Sequence, residues 1–146
     1  VCMGGGWKQF YAEKVEKSEL YALAEEVLGV PESRCHEFFG AVEHPILYAD
    51  CRAHHFHIPV YARVLVRDVK TLAPLPEGEA GLLNLLTPLG RGVPLTSVMT
   101  DDLILHPAGS CPCGCPSPWL EILGRAGVQG VKTCAAGAAE LLGGAT

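Results

Sequence analysis

Two short clusters of soft ligands stand out in this chain: Cys51, His54, His55 and His57 in one stretch, and Cys111, Cys113 and Cys115 in another. Zinc takes four soft or borderline donors at the corners of a tetrahedron, and two separated clusters can supply them from neighbouring strands. The spacing is not that of a Cys-x2-Cys finger. The favoured set is Cys51, His57, Cys111 and Cys113, with His55 as substitute for His57 and Cys115 as the spare. A closed site of this kind leaves no position for an activating water, so its role would be structural. The bland alternative is free thiols and surface histidines.

Three further segments, in order along the chain, could hold a nucleotide. Phe39-Gly40-Ala41-Val42-Glu43 joins a glycine that permits close backbone approach to a carboxylate that can face a ligand's metal ion. Thr100-Asp101-Asp102-Leu103 puts a carboxylate at a strand end, where ribose hydroxyls can donate to it, and Leu123-Gly124-Arg125 offers a planar guanidinium for phosphate oxygens. Each alone is equally an ordinary turn or a solvated acidic pair; the ordered set carries the signal. Lys132-Thr133-Cys134-Ala135 precedes an Ala-rich stretch. A thiol at a helix N-terminus beside a lysine is biased toward thiolate, which makes Cys134 a candidate nucleophile. Its alternative is a small buried hydrophobe.

The elements that must position these groups read as mixed α and β. Ser18 is the expected N-cap of an amphipathic helix in which Leu20, Leu23, Ala24, Val27 and Leu28 recur at helical spacing until Gly29 and Pro31 stop them. Ile46 to Asp50 and Val60 to Asp68 read as strands, the second with Val60, Ala62, Val64 and Val66 on one apolar face. Lys70 to Glu79 is a turn-rich connection to a strand at Gly81 to Thr87, giving a long-looped β-hairpin. Thr100 to Leu105 and Trp119 to Leu123 are further short strands, and Ala135 to Leu142 a short C-terminal helix. Nothing divides the chain more sharply than the Gly/Pro/Cys loop at 107 to 118, so residues 1–146 are taken as one domain.

With 146 residues, the chain is long enough for one core but short for an enzyme that must hold a nucleotide and an acyl substrate. Hydrophobic residues make up 49% against 18% charged, which excludes a disordered chain and suggests apolar surface meant for a partner subunit or a second copy. A net charge of −5 with no basic cluster excludes nucleic acid as a partner. No apolar run approaches the roughly 20 residues of a membrane span, and the start carries no basic region ahead of an apolar stretch. The seven cysteines are odd in number and partly clustered, unlike a secreted disulfide scaffold. The reading is a soluble, cytoplasmic chain. Val1-Cys2-Met3 is an odd beginning, and sequence ahead of it is expected.

The motifs resemble those of the acyl-protein synthetase (LuxE-type) family, within the adenylate-forming superfamily that includes phenylacetate-CoA ligases. The likeness runs through Gly4-Gly5-Gly6-Trp7-Lys8, Phe39-Gly40-Ala41-Val42-Glu43-His44-Pro45, Pro74-Leu75-Pro76-Glu77-Gly78-Glu79-Ala80-Gly81-Leu82-Leu83-Asn84, Thr100-Asp101-Asp102-Leu103, Cys111-Pro112-Cys113-Gly114 and Leu123-Gly124-Arg125-Ala126-Gly127. It implies the C-terminal part of an adenylate-forming enzyme's large domain: a short mixed sheet and a hairpin with a few flanking helices. It also implies activation of a fatty acid by ATP and Mg2+ to an acyl-adenylate, transfer to an enzyme cysteine, and passage to a partner reductase. On that reading Phe39 and Gly40 border the nucleotide and Glu43 helps hold the ATP-bound metal. Asp102, in preference to Asp101, holds the ribose; Arg125 lies near the phosphates and Cys134 carries the acyl group. Related ligases also look similar in pairing a Cys and a His with a Cys-x-Cys-Gly. The superfamily's usual Tyr-Gly-x-Thr-Glu reads here Phe39-Gly40-Ala41-Val42-Glu43, and its Ser/Thr/Gly-rich phosphate loop is absent from the sequence. Two alternatives follow: part of a phenylacetate-type acyl-CoA ligase, in which Cys134 is incidental, and a non-catalytic zinc-stabilised binding module.

Overall fold

The computed structural model of the chain describes residues 1–4, 14–90, 92 and 95–126. The Trp7-Lys8 segment, Cys134 and the expected helix at 135–142 lie outside these residues. Two sheets and one α-helix make up the fold. Strands β1 (Cys2–Gly4), β2 (His36–Phe39) and β3 (Tyr48–Ala49) form a small mixed sheet, with β1 parallel and β3 antiparallel to β2. Strands β4 (Phe56–His57), β5 (Arg63–Arg67), β6 (Ala80–Leu86), β7 (Ser97–Leu105) and β8 (Trp119–Arg125) form an antiparallel sheet in the order β4-β8-β7-β6-β5.

The alternation of apolar residues explains the larger sheet. Val64 and Val66 of β5, Leu83 and Leu85 of β6, Ile104 of β7 and Leu120 of β8 all point to one buried face. Ile46, ahead of β3, and Tyr48 of β3 join the same core as Phe56 of β4, so one hydrophobic cluster serves both sheets. Asn84 is also buried, and its amide is fully engaged: its Oδ1 accepts from Arg67 Nε at 3.1 Å and Nη2 at 3.0 Å, and its Nδ2 donates to Ser97 Oγ at 3.0 Å and Val98 O at 3.1 Å. A polar side chain in a central strand is tolerated only on such terms.

Several expectations shift. The β5–β6 hairpin forms in the expected pairing, but β5 begins at Arg63, and Val60 is 96% exposed rather than on the apolar face. The chain turns at Pro59, where Ala62 N–H bonds back to its carbonyl at 2.9 Å, and this takes Val60 off the strand. β3 is shorter than Ile46 to Asp50, because Pro45 and the His44–Ile46 turn occupy its first part. β1, β2 and β4 are additional strands.

Helix α1 (Lys17–Leu28) starts a residue before Ser18, which therefore sits inside the first turn and is not the cap. Glu16 is extended, its carbonyl accepts from the N–H groups of Glu19 and Leu20, and no side chain caps the end. Gly29 ends the helix in the left-handed region at φ 66°, as a Schellman-type cap requires. The aliphatic stripe does not face the core: Leu23, Val27 and Leu28 are 53%, 67% and 63% exposed, and Tyr21 is the residue that α1 buries. Among the described residues no helix is long and apolar enough to cross a membrane.

Gly81 is the tightest backbone approach in the hairpin. A Cβ there would run into the Arg67 carbonyl oxygen and lie 2.9 Å from Val66 Cγ1. Gly81→Ala is expected to cost about 1–3 kcal/mol by overpacking and bending the β5–β6 ladder. Urea unfolding checks this; an unchanged midpoint would show that the hairpin yields freely at this point.

Candidate functional site

The Cys51–His57 turn is where the two sheets meet. It closes between β3 and β4 with Cys51 N–H bonded to His55 O at 3.0 Å, His54 N–H to Cys51 O at 2.7 Å, and a bridge between Asp50 and Phe56. β4 then pairs with β8, setting Phe56 opposite Leu120 and His57 opposite Trp119. That register carries the β7–β8 connection across the turn. In this connection Gly114, at φ 86° and bonded to Cys111 O at 3.0 Å, folds Cys111 and Cys113 back toward Cys51.

The result is a compact donor set. One ligand atom from each of Cys51, His57, Cys111 and Cys113 lies within 4.8 Å of the other three. Cys51 Sγ is 3.7 Å from Cys111 Sγ, and Cys113 Sγ is 3.3 Å from His57 Nε2. Two thiolates on a tetrahedral zinc stand about 3.8 Å apart, because each Zn–S bond is about 2.3 Å. His57 Nδ1 lies 3.2 Å from Ser117 O, and since a carbonyl only accepts, Nδ1 carries the proton and Nε2 presents its lone pair to the cluster. The Ala53 and Cys115 backbone N–H groups donate to Cys51 Sγ at 3.4 Å and Cys113 Sγ at 3.3 Å. Burial pushes the Cys111 thiol up to about 11, whereas the Cys115 N–H draws Cys113 below its ordinary value. His55 remains outside the four. It stacks on Trp119 at 3.9 Å, with Nδ1 3.3 Å from Cys111 Sγ.

The nucleotide candidates fall in two places. Asp102 and Arg125 are cross-strand partners on β7 and β8, with Arg125 Nε donating to Asp102 Oδ1 at 3.1 Å and its Nη2 2.9 Å from Asp101 Oδ1. Asp102 is the more sheltered acid, its side chain 13% exposed against 50% for Asp101. Glu43 is exposed on the turn between β2 and β3. Among the described residues no hydrogen bond or ion pair joins it to Asp102 or Arg125. Phe39 packs inward, its ring 6.1 Å from those of Tyr48 and Phe56, and Gly40 borders an open cleft of about 470 Å3 with Phe38, Val42, His44 and Leu47.

A polar network beside the Cys51–His57 turn had no motif to announce it. Asp50, its side chain 1% exposed, faces His36 Nδ1 and His54 Nδ1, each at 3.0 Å; His54 Nε2 is 3.2 Å from Glu32. The His54 ring stacks on Tyr21 at 4.6 Å, and Tyr21 donates to Glu37, which also pairs with Lys17 at 2.9 Å. Burial and the Glu37 carboxylate raise the Tyr21 phenol well above its usual range. The adjacency of Asp50 to Cys51 and the Asp50/His54 spacing were the available signals.

The fold built by these sheets is shared with parts of larger solved structures. An open conformation of 2-hydroxyisobutyryl-CoA ligase in complex with 2-HIB-AMP and CoA superposes with a TM-score of 0.63 at 20% identity, over 85% of this chain and 26% of that one. Apo MatB from Rhodopseudomonas palustris gives 0.53 at 14% identity, over 86% and 25%. The family model "Acyl-protein synthetase, LuxE" matches residues 1–142, and the chain belongs to that family. Two relatives are long-chain-fatty-acid–luciferin-component ligases. That of Aliivibrio fischeri is 26% identical over 97% of this chain and 38% of its own length; that of Vibrio harveyi is 30% identical over 92% and 35%. The chain thus spans little more than a third of the relatives it matches.

His44 lies 2% exposed next to Glu43, with Nε2 2.9 Å from the Tyr48 hydroxyl and Nδ1 unpartnered among the described residues. Burial disfavours the imidazolium and lowers its pKa below 6.5. The unfolded chain then binds the proton more readily than the folded one, so stability is complete above the ordinary histidine range and is lost as pH falls through it. His44→Phe should flatten the fall in urea midpoint between about pH 7 and pH 5. Parallel pH profiles for the two proteins would rule His44 out as a source of the acid sensitivity.

Proposed function

We propose that this chain is part of an ATP-dependent long-chain fatty acid–protein ligase, which activates a fatty acid as its acyl-adenylate and loads the acyl group on a cysteine. Family membership over residues 1–142 carries the reading, and the names of the two relatives support a long-chain fatty acid as the substrate. In the activation step a carboxylate oxygen attacks the α-phosphorus of ATP and pyrophosphate leaves. Asp102 accepts from the ribose hydroxyls. Arg125, bonded to both neighbouring acids through one edge, is half exposed, which supports its remaining N–H groups as donors to phosphate oxygens. Glu43, free in solvent at the end of its turn, is a hard oxygen donor suited to the magnesium that ATP brings. Phe39 contributes by packing the end of the strand that leads to Gly40, so that the backbone there can approach the nucleotide.

In the transfer step the thiolate of Cys134 attacks the acyl carbonyl, a thioester forms and AMP leaves. A reductase is the expected acceptor from that thioester. Because the sequence contains no Ser/Thr/Gly-rich phosphate loop, the proposal is for the enzyme to which this chain contributes Glu43, Asp102, Arg125 and Cys134.

A structural zinc ion held by Cys51, His57, Cys111 and Cys113 is part of the same proposal. The donor set is three thiols and an imidazole at tetrahedral spacing, with the imidazole tautomer already fixed. Bound there, zinc would supply folding free energy and no Lewis acidity, since four protein ligands fill its coordination.

The test is intact mass of the full-length enzyme that contains this chain, native and denatured, after incubation with ATP, magnesium and a panel of fatty acids. The expected native mass is heavier by one zinc, and the acyl adduct is labile to hydroxylamine and lost in Cys134→Ser with zinc retained. An adduct that survives Cys134→Ser would overturn the carrier assignment. Zinc without any adduct would leave this chain a zinc-stabilised module, and a thioester on coenzyme A alone would favour an acyl-CoA ligase.

A further inference from the structure

The turn that supplies Cys51 and His57 contains a residue in an unusual backbone conformation. His54 has φ 55°, in the left-handed region that costs a non-glycine residue roughly 1–2 kcal/mol. Its ring holds it there through three contacts outside the turn or at its start: the stack on Tyr21 of α1, Nδ1 against Asp50 and Nε2 against Glu32. Asp50 is the hub. Its carboxylate is almost wholly removed from water, a position stable only when both oxygens are engaged, and they are, one by His36 of β2 and the other by His54. Asp50 also immediately precedes Cys51.

We infer that Asp50 is a positioning residue for the metal centre, clamping the ligand turn through His54 and tying it through His36 to strand β2 and through Tyr21 to helix α1. The inference rests on the zinc reading above and extends it. A turn that must pay for a left-handed residue will not hold Cys51 and His57 at ligand spacing unless the clamp is intact. Conversely, a metal ion that fixes the turn from one side fixes His54 and Asp50 on the other. Metal occupancy is therefore communicated to α1, which has little other buried contact, Tyr21 being its one buried residue. It also reaches β2, the strand that runs into Phe39-Gly40 and the Glu43 turn. The apolar core keeps its own contacts throughout, so the effect is on the turn and its neighbours.

The measurement is zinc affinity of the whole chain by competition with a chromophoric chelator, with hydrogen exchange followed with and without zinc. For Asp50→Asn the expected loss of affinity is about 10–100-fold, the range of outer-shell substitutions. In the unsubstituted chain zinc should slow exchange in α1 and β2. In Asp50→Asn saturating zinc should slow the 51–57 turn but leave α1 fast. His54→Asn, which tolerates the left-handed region and keeps one side-chain donor, should lose less affinity than Asp50→Asn; it also serves if the Asp50 variant does not fold. Affinity within twofold of the parent in both variants, or α1 exchange that ignores zinc in the parent, would overturn the role of Asp50 and leave the metal site standing. No zinc uptake by the parent chain would overturn the metal site itself, and this inference with it.

Discussion

The short pairing of β4 with β8 is the contact on which the rest of the site depends. It is only two residues long, Phe56 opposite Leu120 and His57 opposite Trp119, yet it joins a turn leaving the small sheet to a loop leaving the large one. Phe56 and Leu120 belong to the common hydrophobic cluster, so apolar burial, not ligand chemistry, fixes the register. Side chains alternate across a strand, and a slip by one residue would send His57 to the core and Phe56 to the ligand side. The core therefore decides which face of β4 meets the thiols: His57 joins the four from that face, while His55, two residues earlier, stacks on Trp119 with its Nδ1 3.3 Å from Cys111 Sγ.

Three thiols and an imidazole held this closely make poor company without a metal. Thiolates a few ångströms apart repel one another, and burial makes the Cys111 thiol resist ionisation. The backbone N–H groups of Ala53 and Cys115 and the carbonyl of Ser117 are nonetheless already aimed at the ligand side chains. Such preorganisation has a cost in backbone freedom and strain, visible in Gly114 at φ 86° and His54 at φ 55°. Leu72, at φ 60° in the β5–β6 connection, is the other non-glycine in the left-handed region among the described residues, while the β5–β6 ladder carries the regular hydrogen bonding and dense apolar packing.

How much of this was legible in the sequence depended on the kind of signal. Alternation in Val64 and Val66 and the aliphatic run after Gly81 announced the hairpin, because period-two patterning reports burial directly. Cys and His clustering pointed to the four donors, since few other roles bring those residue types together. The start of α1 was misread by two residues, for a serine near a helix start is a good cap only if the chain turns there, and it turns at Glu16. The stripe Leu23, Val27 and Leu28 looked like a core face because periodicity reports amphipathicity and not which face finds a partner; here Tyr21 does. β1 and β4 were too short to carry any pattern of their own. The Asp50 network was invisible for a different reason: its members come from α1, the 3-10 turn Glu32–Arg34, β2 and the ligand turn, and only the fold makes them neighbours.

The two groups of nucleotide candidates belong to different sheets. Asp102 and Arg125 are locked to each other by register on β7 and β8, a geometry that survives as long as the large sheet does. Glu43 hangs from the β2–β3 turn of the small sheet, whose three strands are short and whose anchoring to the large sheet runs through the shared core and the Cys51–His57 turn. Surface ion pairs such as Arg125 with Asp101 contribute at most about 1 kcal/mol and cannot set the distance between the two groups. That distance is set where the sheets are joined. The Cys51–His57 turn, part of that junction, therefore bears on where the Glu43 turn stands relative to the Asp102–Arg125 pair.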